Sequence, residues 1–355
     1  MKVSPGESAA LVDAVVAGRS PDGLDLRIFV PLAPGRREER PITVDQTNVS
    51  VVVGERAVVK WMRSPGDARA PRLLAHLAAT SFTRMPTPHA AAFRDGALIA
   101  LVTAFLPDAE DGWDWCTNDL LSWLDGGPPA DFAPAIGTLA ADLHAALATP
   151  SRVCPNPLHP APPPATTSPG APRPAPSPAA APVTLAEALA ADSDPWLREA
   201  APRIASDISL LSSYLSSSPA LHLHGDLHVG QILRWRDGLA VTDFDGNPTL
   251  DPRPEPAARD LAQLRTSVLH VAEIANRRTD GAHREILRAW GRQAADDLLT
   301  AYRSTLATHG QSHLLDEKLL RPFEVEQECR ELIYAARFLP RWRYAPMGVL
   351  RSWYG

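Results

Sequence analysis

Three side chains in one stretch of the sequence could together support phosphoryl transfer: the carboxylates of Asp226 and Asp243 and the amide of Gln231. Asp226 and Gln231 belong to the string His-Gly-Asp-Leu-His-Val-Gly-Gln, and Asp243 follows in Thr-Asp-Phe-Asp. Phosphoryl transfer depends on positioning and on neutralising charge, so it needs a carboxylate beside the acceptor hydroxyl and a hard cation held by oxygen atoms. We expect Asp226 to accept or orient the acceptor proton, and Gln231 and Asp243 to bind magnesium.

The elements between these residues predict how they meet. Residues 232–235 and 239–242 are short apolar runs joined by Arg-Asp-Gly, which predicts a β-hairpin. A hairpin returns the chain to the end where it started. The loop before its first strand and the residue after its second strand are therefore expected to lie side by side, which brings Asp226, Gln231 and Asp243 into one site.

The region before this hairpin is rich in predicted strands. Period-two alternation and short apolar runs indicate strands, whereas apolar spacings of three and four indicate helices. The expected elements are a strand at 24–30, a hairpin at 51–61, a helix at 72–79, a buried strand at 97–105 and, from residue 120 onward, mainly helices.

Nucleotide-binding candidates lie in this strand-rich region. Lys60 ends the run Arg-Ala-Val-Val-Lys, which resembles the strand whose lysine meets nucleotide phosphates. Ser50 belongs to the polar segment 46–50, which lacks glycine but could lie over phosphates through its hydroxyl and N–H groups. Thr103 and Phe105, at the end of the buried strand, complete the predicted nucleotide-binding set.

The carboxylate partner of Lys60 stays open at this stage. In kinases such a lysine is paired with a glutamate on the following helix. Here the only nearby acid after Lys60 is Asp67, and Arg69 and Arg72 lie where a glutamate would be expected. This departure leaves the partner of Lys60 unassigned.

Bulk composition narrows the class of protein. The chain has 355 residues, enough for two or three packed units. Its net charge of −6 argues against nucleic-acid binding. Three cysteines without C-x-x-C spacing suit a reducing cytoplasm, and no apolar run is long enough for a membrane span. We expect a cytoplasmic protein, a monomer, that binds small molecules rather than nucleic acid or membrane.

Residues 155–182 have a different composition from the rest of the chain. Twelve of these 28 positions are proline, and the others are mostly small or polar. Such a segment cannot bury enough apolar surface to order itself, so we expect an extended or disordered insert that acts as a linker, with partner binding as the alternative. Helices are expected to resume at 185–191, with Thr184 as the N-cap.

The string from His224 to Gln231 resembles maltokinases and their relatives among the aminoglycoside phosphotransferase-like kinases. Asp226 and Gln231 have the spacing of the Asp and Asn in a kinase catalytic loop, and Asp243-Phe-Asp resembles the metal-binding D-F-G segment. Further agreement lies in the strings Gln-Thr-Asn-Val-Ser-Val-Val, Lys-Trp, Phe-Leu-Pro, Asp-Gly-Trp and Asp-Leu-His. Within this group the chain is most similar to the actinobacterial glucosamine kinases, which phosphorylate D-glucosamine at the 6-hydroxyl.

This resemblance implies a fold, a domain division and cofactors. The implied fold class is α+β, a bilobal protein-kinase-like fold with ATP and Mg²⁺ as cofactors. The implied divisions are a short N-terminal cap region at 1–43, a β-rich nucleotide-binding N-lobe at 44–106 and a mainly helical C-lobe at 107–355, which carries the catalytic loop and the sugar site.

The predicted sugar site uses a helix near the C-terminus. From residue 324 to 338, Val325, Cys329, Leu332 and Ala336 are expected to form its packing face. Gln327, Glu331 and Tyr334, with Phe338, form another face at helical spacing, which offers polar groups for hydroxyls and rings for a pyranose. Glu331 could pair with the ammonium of an amino sugar, and Trp342 could close the pocket. Asp245 is a second candidate for the amine or a hydroxyl.

Other readings of the same residues remain open. The acceptor could instead be maltose or an aminoglycoside. His222, His224, Asp226 and His228 resemble a zinc cluster of metallo-β-lactamase-type hydrolases, although Leu227 spoils the spacing. The missing glutamate also allows a pseudokinase that acts as a binding module. Asp260 is expected to brace the catalytic loop, and His144 to be a packing histidine.

Overall fold

The computed structural model describes residues 3–42, 48–66, 68–160, 183–215, 218–247 and 253–355. The chain divides into two compact units. The first comprises Met1–Glu110, Thr149–Pro157 and Leu233–Leu250, and the second comprises Asp111–Ala148, Leu158–Ile232 and Asp251–Gly355. Each unit is described by itself.

The first unit is built on a six-stranded antiparallel sheet with the order β1-β5-β6-β4-β3-β2. Its strands are β1 (Asp25–Ile28), β2 (Glu39–Ile42), β3 (Val49–Val53), β4 (Ala57–Gly66), β5 (Pro88–Arg94) and β6 (Ala97–Ala104). Its helices are α1 (Glu7–Ala17) and α2 (Arg69–Ala79).

Strand alternation in β4 separates a core face from a polar face. Ala57, Val59 and Trp61 are buried in the core that α1 covers, and the Trp61 indole donates to Ser8 Oγ over 2.9 Å. Because successive residues of a strand point to opposite faces, Lys60 lies on the other face of the sheet. The sheet therefore presents Lys60 away from its α1-covered core.

The predicted catalytic hairpin is present. β9 (Ile232–Trp235) and β10 (Gly238–Val241) form a two-stranded sheet, and residue Asp243 follows directly. Glu110 and Arg234 form an antiparallel bridge and an ion pair of 2.8 Å beside it.

The second unit is mainly helical. Its helices are α3 (Gly112–Leu124), α4 (Ala133–Ala148), α5 (Val183–Ala191), α6 (Pro195–Ser209), α7 (Leu211–Tyr214), α8 (Ala258–Arg278), α9 (Arg284–Thr308), α10 (Leu320–Phe338) and α11 (Tyr344–Tyr354). Two short strands, β7 (His159–Pro160) and β8 (Pro219–Ala220), pair with each other. α8 is the central helix, since α3, α9, α10 and α11 all pack against it.

Because neighbours cover α8 on several sides, polar residues within it are buried. Asp260, Gln263, Ser267 and His270 are each 5% exposed or less. Their spacing of three, four and three residues places them along one face of the helix. Buried polar groups of this kind need hydrogen-bond partners, and the catalytic loop supplies several of them.

The predicted fold class is confirmed: the chain is α+β, with an antiparallel sheet in one unit and mainly helices in the other. The domain limits differ in detail from the expected ones. Residues 25–28 and 39–42 join the same sheet as the rest of the first unit, and residues 233–250 group with it as well. The action of residues 1–43 as a cap region stays a prediction.

Two local predictions in the helical unit were wrong. Thr184 lies inside α5 rather than capping it, and its hydroxyl donates to Glu326 Oε1 over 3.2 Å. On α10 the residue that packs inward near the end is Ala335, while Ala336 is exposed, because the elements packed against α10 decide which side of its last turns is covered. Most of the proline-rich insert, residues 161–182, lies outside the described residues.

Candidate active site

The nucleotide-binding candidates in the first unit centre on Lys60. Its ammonium donates to Asp243 Oδ1 over 2.6 Å and to Asp245 Oδ2 over 2.9 Å. Burial disfavours the charged ammonium, but the charges of Asp243 and then Asp245 outweigh it and raise the pKa of Lys60. The partner that the sequence left open is therefore the Asp-Phe-Asp segment itself, 183 and 185 residues further along the chain.

Helix α2 holds the same segment from another direction. In kinases this helix carries the glutamate that pairs with the lysine. Here α2 begins with Arg69, whose guanidinium donates to the carbonyl oxygen of Phe244 over 2.9 Å. Gly246 has a φ of 77°, and a Cβ there would overlap the Arg69 guanidinium. Asp243 adopts a φ of 58°, a left-handed conformation that is uncommon for residues other than glycine. Such strain is often found at functional sites.

The other nucleotide-binding candidates lie on the same sheet. Ser50 is paired directly with Lys60 across β3 and β4 and is 6% exposed. Thr103 on β6 is paired with Val58 of β4, and the Phe105 N–H donates to the Arg56 carbonyl over 3.0 Å. Their contact with a nucleotide stays a prediction. Gln46 and Thr47, from the segment expected over the phosphates, lie outside the described residues.

The catalytic loop belongs to the second unit and is braced by α8. The Asp260 carboxylate, fully buried, accepts hydrogen bonds of 2.9 Å from the backbone N–H groups of His224 and Gly225. His144 lies 3.4 Å from the same carboxylate and 2.6 Å from the Tyr302 hydroxyl. Burial opposes the negative charge, yet the hydrogen bond with His144 and the neighbouring groups lower the pKa of Asp260. The predictions for Asp260 and His144 are confirmed.

Asp226 is held by the next residue of the same helix face. Gln263 Nε2 donates to Asp226 Oδ1 over 2.7 Å, and Asp226 Oδ2 lies 3.9 Å from His228 Nε2. Further along the loop, the Val229 N–H donates to Ser267 Oγ over 3.0 Å. α8 therefore positions the catalytic loop through side chains at successive turns.

An aromatic wall adjoins Asp226. Trp113 stacks on His228 with ring centroids 5.5 Å apart and an interplanar angle of 25°. Trp342 meets Trp113 edge-on at 5.4 Å, and His270 meets Trp342 at 5.4 Å. We call these four residues, Trp113, His228, His270 and Trp342, the aromatic wall.

The Asp-Gly-Trp string builds one side of this wall. Asp111 caps α3 by accepting from the Trp113 N–H over 2.8 Å. Gly112 lets the start of the helix lie against the catalytic loop, because a Cβ there would overlap the Val229 carbonyl oxygen. The position of Trp113 beside His228 follows from this close approach.

Three predicted sugar-binding residues meet at the wall. Glu331 accepts from Gln327 Nε2 over 3.0 Å and from the Trp342 indole N–H over 2.8 Å. Tyr334 and Phe338 instead pack against each other, with centroids 5.3 Å apart, and are 46% and 62% exposed. The structure thus joins Gln327, Glu331 and Trp342 in one group, and a sugar contact for Tyr334 stays a prediction.

A buried pair lies behind the wall. His270 Nε2 is 2.9 Å from Glu328 Oε2, and Glu328 is fully buried, with its Oε1 lacking a partner among the described residues. Burial, followed by the charges of Glu331 and Glu324, raises the pKa of Glu328. Burial also lowers the pKa of His270 to about 4. Burial therefore disfavours a charge on either group.

The two metal-ligand candidates fall in different units. Gln231 ends the 3₁₀ turn Val229–Gln231 of the second unit, whereas Asp243 belongs to the first. Carboxylate and amide oxygens are ligands that Mg²⁺ prefers, and Mg²⁺ sites in phosphotransferases use only one or two carboxylates beside phosphate and water. The residues therefore fit magnesium chemically, and the convergence of Gln231 with Asp243 stays a prediction.

The histidines of the catalytic loop are engaged in ways that do not suit a zinc cluster. His224 is buried and its Nδ1 accepts from the Asp226 N–H at 3.3 Å, while His222 meets His159 edge-on at 5.4 Å. Within the described part of the chain, no group of three or more His, Cys, Asp or Glu side chains is arranged to hold a metal ion.

Sequence reasoning missed four site residues: Trp113, His228, Gln263 and His270. A signal for two of them existed. Gln263 and His270 share a helix face with Asp260, at spacings of three and ten residues, in a helix that is otherwise rich in apolar residues. Polar residues at helical spacing on one face of a helix that is rich in apolar residues indicate that this face is buried and hydrogen-bonded to a neighbouring segment.

No family model matches the sequence. The chain is 40% identical over 364 residues to a glucosamine kinase of Streptacidiphilus jiangxiensis, covering 96% of this chain and 80% of that protein. It is 37% identical over 330 residues to a glucosamine kinase of Mycolicibacterium smegmatis, covering 88% and 79%. A solved structure, a glucosamine kinase in complex with glucosamine, ADP and inorganic phosphate, matches with a TM-score of 0.81 at 35% identity, over 100% of this chain and 84% of that one.

These matches confirm the resemblance inferred from the catalytic loop. They argue against the two alternatives of a zinc hydrolase and a pseudokinase that only binds ligands. The identity is above 30% and extends over nearly the whole sequence, including both compact units. The chain belongs to the glucosamine kinase family.

Proposed function

We propose that this protein transfers the γ-phosphoryl group of ATP to the 6-hydroxyl of D-glucosamine, giving glucosamine 6-phosphate and ADP. The observation that carries the proposal is the position of Glu331. Its carboxylate binds Trp342, whose ring contacts Trp113, and Trp113 stacks on His228 beside Asp226. Glu331, at one end of this series of contacts, suits an ammonium group. Asp226, at the other end, suits a hydroxyl group.

In the proposed reaction, the 6-hydroxyl oxygen forms a bond to the γ-phosphorus, and the bond from that phosphorus to the β,γ-bridging oxygen breaks. The electron pair of that bond leaves with ADP, and the hydroxyl proton passes to Asp226. Gln263 supports this role because its amide fixes Asp226 Oδ1 at 2.7 Å. The second oxygen of Asp226 is then directed toward His228 and the aromatic wall.

The nucleotide and the metal are assigned to the first unit and the end of the catalytic loop. Lys60, Ser50, Thr103 and Phe105 are the proposed nucleotide contacts. Gln231 and Asp243 would hold Mg²⁺, which supplies charge neutralisation for the phosphates when bound. Lys60, already in contact with Asp243 and Asp245, would bind phosphate oxygens beside them.

Within the second unit, Gln327, Glu331 and Trp342 are the proposed sugar contacts, with Tyr334 at the edge. Asp245 is proposed as a further contact for the amine or a hydroxyl. Its pairing with Lys60 over 2.9 Å favours a role on the nucleotide side instead. Glu331 is therefore the stronger candidate for the ammonium.

Other acceptors, such as maltose or an aminoglycoside, are the remaining alternatives. The test is a screen of ATP consumption over glucose, glucosamine, N-acetylglucosamine, maltose and an aminoglycoside. We expect the highest kcat/KM with glucosamine, and NMR of the product should place the phosphate on O6. A higher kcat/KM with maltose or an aminoglycoside would overturn the proposed acceptor.

No helix among the described residues is both long and apolar enough to cross a bilayer. A cytoplasmic location and a monomeric state remain proposals, which cell fractionation and sedimentation of the purified protein can test.

A further inference from the structure

We infer that His228 binds the acceptor sugar: its Nε2–H donates to the same hydroxyl oxygen whose proton Asp226 Oδ2 accepts. The inference rests on the proposed function, because it places the reacting hydroxyl between these two side chains. Four observations carry it: the tautomer of His228, its fixed orientation, its distance from Asp226 and its partial exposure.

Hydrogen bonding fixes the tautomer of His228. The Gly230 N–H donates to His228 Nδ1 over 3.1 Å, so Nδ1 must offer a lone pair. A neutral imidazole carries one proton, and that proton then lies on Nε2. His228 consequently presents an N–H donor, and not an acceptor, at the end of the ring that faces Asp226.

Packing fixes the direction of this donor. Trp113 stacks on the imidazole, and Gly230 allows the two rings to lie close, because a Cβ at that position would overlap the Trp113 indole nitrogen and approach His228 Cε1 within 2.9 Å. The ring is therefore held at Nδ1 and on one face. Rotation about its side-chain torsions would lose both contacts.

The distance between His228 and Asp226 suits a shared oxygen. Nε2 and Oδ2 are 3.9 Å apart, which exceeds the length of about 3.2 Å that a direct hydrogen bond allows. A single hydroxyl oxygen about 2.8 Å from each atom spans this gap. Asp226 Oδ1 is already bound by Gln263, so Oδ2 is the oxygen that faces the gap.

Exposure shows that the gap can be reached. The side chains of His228 and Asp226 are 24% and 23% exposed, whereas Gln263, which holds Asp226, is only 5% exposed. Trp113 contacts both His228 and Trp342, and the Trp342 indole donates to Glu331. A hydroxyl of a sugar placed along this wall therefore reaches the gap from the same side.

Two contacts on one hydroxyl also orient its attack. The hydroxyl donates its proton to Asp226 and accepts from His228 with one lone pair, which leaves its other lone pair for the γ-phosphorus. His228 keeps its own proton throughout, so it orients the nucleophile and takes no part in the proton transfer.

The alternative is that His228 only caps the 3₁₀ turn through Nδ1. Two substitutions separate the roles, because an asparagine amide occupies roughly the place of Nδ1 and a glutamine amide roughly the place of Nε2. If Nε2 binds the hydroxyl, His228→Gln should retain most of kcat/KM for glucosamine. His228→Asn and His228→Ala should lower it roughly tenfold or more, with the KM for ATP unchanged.

Activity of His228→Asn equal to the wild type, or His228→Ala within twofold of it, would overturn the inference. Thermal unfolding of each variant checks that a loss of activity is not a loss of fold. If the wild type prefers another sugar, the proposed acceptor fails, and the same ratios measured with that sugar still decide the role of His228.

A second measurement does not depend on turnover. The ¹⁵N spectrum of histidine-labelled protein should show His228 as the Nε2-protonated neutral tautomer, and saturating sugar should shift its Nε2 resonance. Protonation on Nδ1, or a Nε2 resonance that does not move when the sugar binds, would contradict the inference even if the enzyme phosphorylates glucosamine.

Discussion

At the scale of single residues, Asp226 and Glu331 are the two carboxylates of the proposed acceptor site. They differ in how they are held. Asp226 has one oxygen fixed by Gln263 and the other facing His228, whereas both oxygens of Glu331 accept from neighbours, Gln327 and Trp342. The first arrangement suits proton transfer and the second suits a fixed negative charge.

Substitution of Asp226 should abolish transfer without abolishing nucleotide binding. Asp226→Asn retains an oxygen for Gln263 but removes the base, so kcat should fall by about 100-fold or more. The binding of ATP, measured by calorimetry, should change little, because the proposed nucleotide contacts lie in the first unit. Wild-type turnover by this variant would end the assignment of Asp226.

Substitution of Glu331 should affect amino sugars selectively. Glu331→Gln keeps an acceptor oxygen for only one of Gln327 and Trp342 and loses the charge, so the KM for glucosamine should rise roughly 10- to 100-fold, and that for glucose much less. Steady-state kinetics with both sugars measures the difference. Glu317→Gln, at an exposed carboxylate paired with Arg303, is the matched control. Equal effects on both sugars would remove Glu331 from amine recognition.

The sequence predicts these two residues and the Glu331 neighbours Gln327 and Trp342, but not the residues that contact Asp226. Asp226 was predicted from local spacing in the catalytic loop, and Glu331 from a helical pattern combined with the family resemblance. The partners Gln263 and His228 were not, because a hydrogen bond between residues 37 positions apart depends on how α8 packs beside the loop. Lys60 shows the same limit, since its acidic partners lie beyond any local pattern.

At the scale of elements, α2 carries Arg69 and no glutamate that could pair with Lys60. Arg69 contacts the backbone of Phe244 instead. Arg69 holds the backbone of the Asp-Phe-Asp segment, and that segment in turn holds Lys60. The loss of this hydrogen bond should loosen the acidic segment without unfolding the sheet.

Arg69→Met should therefore raise the KM for ATP roughly 3- to 10-fold, which corresponds to the free energy of one hydrogen bond, and should leave the KM for glucosamine within twofold. Steady-state kinetics with each substrate varied in turn is the measurement. Arg72→Met, at an exposed position of the same helix, is the control and should behave as the wild type. An unchanged KM for ATP in Arg69→Met would show that the segment is positioned by other contacts.

The packing of α8 on α10 should make stability depend on pH in a specific way. In the folded protein burial favours a pair whose one proton lies on Glu328 rather than on His270, whose pKa is lowered to about 4. With ordinary pKa values of 4.5 and 6.5, the unfolded chain between these pH values also holds one proton, on the histidine. The pair therefore adds no pH dependence in that range.

Above pH 6.5 the unfolded chain loses its histidine proton, whereas the raised pKa of Glu328 favours retention of the proton in the folded pair. The free energy of unfolding should therefore fall as pH rises, by up to about 1.4 kcal/mol per pH unit. Glu328→Gln should remove this decline. In that variant the depressed pKa of His270 acts alone, so stability should be lost only as pH falls from 6.5 toward 4. Urea unfolding of both proteins between pH 5 and pH 9 measures the slopes, and parallel slopes above pH 6.5 would contradict a buried neutral Glu328.

Element prediction succeeded where the pattern was local. The catalytic hairpin, β4, β6, α2 and α4 all lie close to their predicted positions, because strand alternation and helical spacing are set by the chain itself. The helix face at Tyr334 and Ala336 was less well predicted, because which side of α10 is covered depends on the helices that pack against it.

At the scale of the whole molecule, composition predicted the class of protein and the family resemblance predicted the fold. Strand alternation predicted a strand at 24–30, but nothing in the sequence indicated that it pairs with β5 or that residues 39–42 belong to the same six-stranded sheet. Short edge strands with mostly exposed residues carry little apolar signal, so their pairing is decided by the neighbouring strands.

The buried Asp260 carboxylate should couple the loss of activity on heating to the unfolding of the second unit. Its hydrogen bonds bind the amides of His224 and Gly225 to the buried first turn of α8, the central helix of the second unit. Those two amides should exchange with deuterium only when that entire helical unit opens, and not through local fraying. Activity and the cooperative melting of this unit should then be lost at the same temperature.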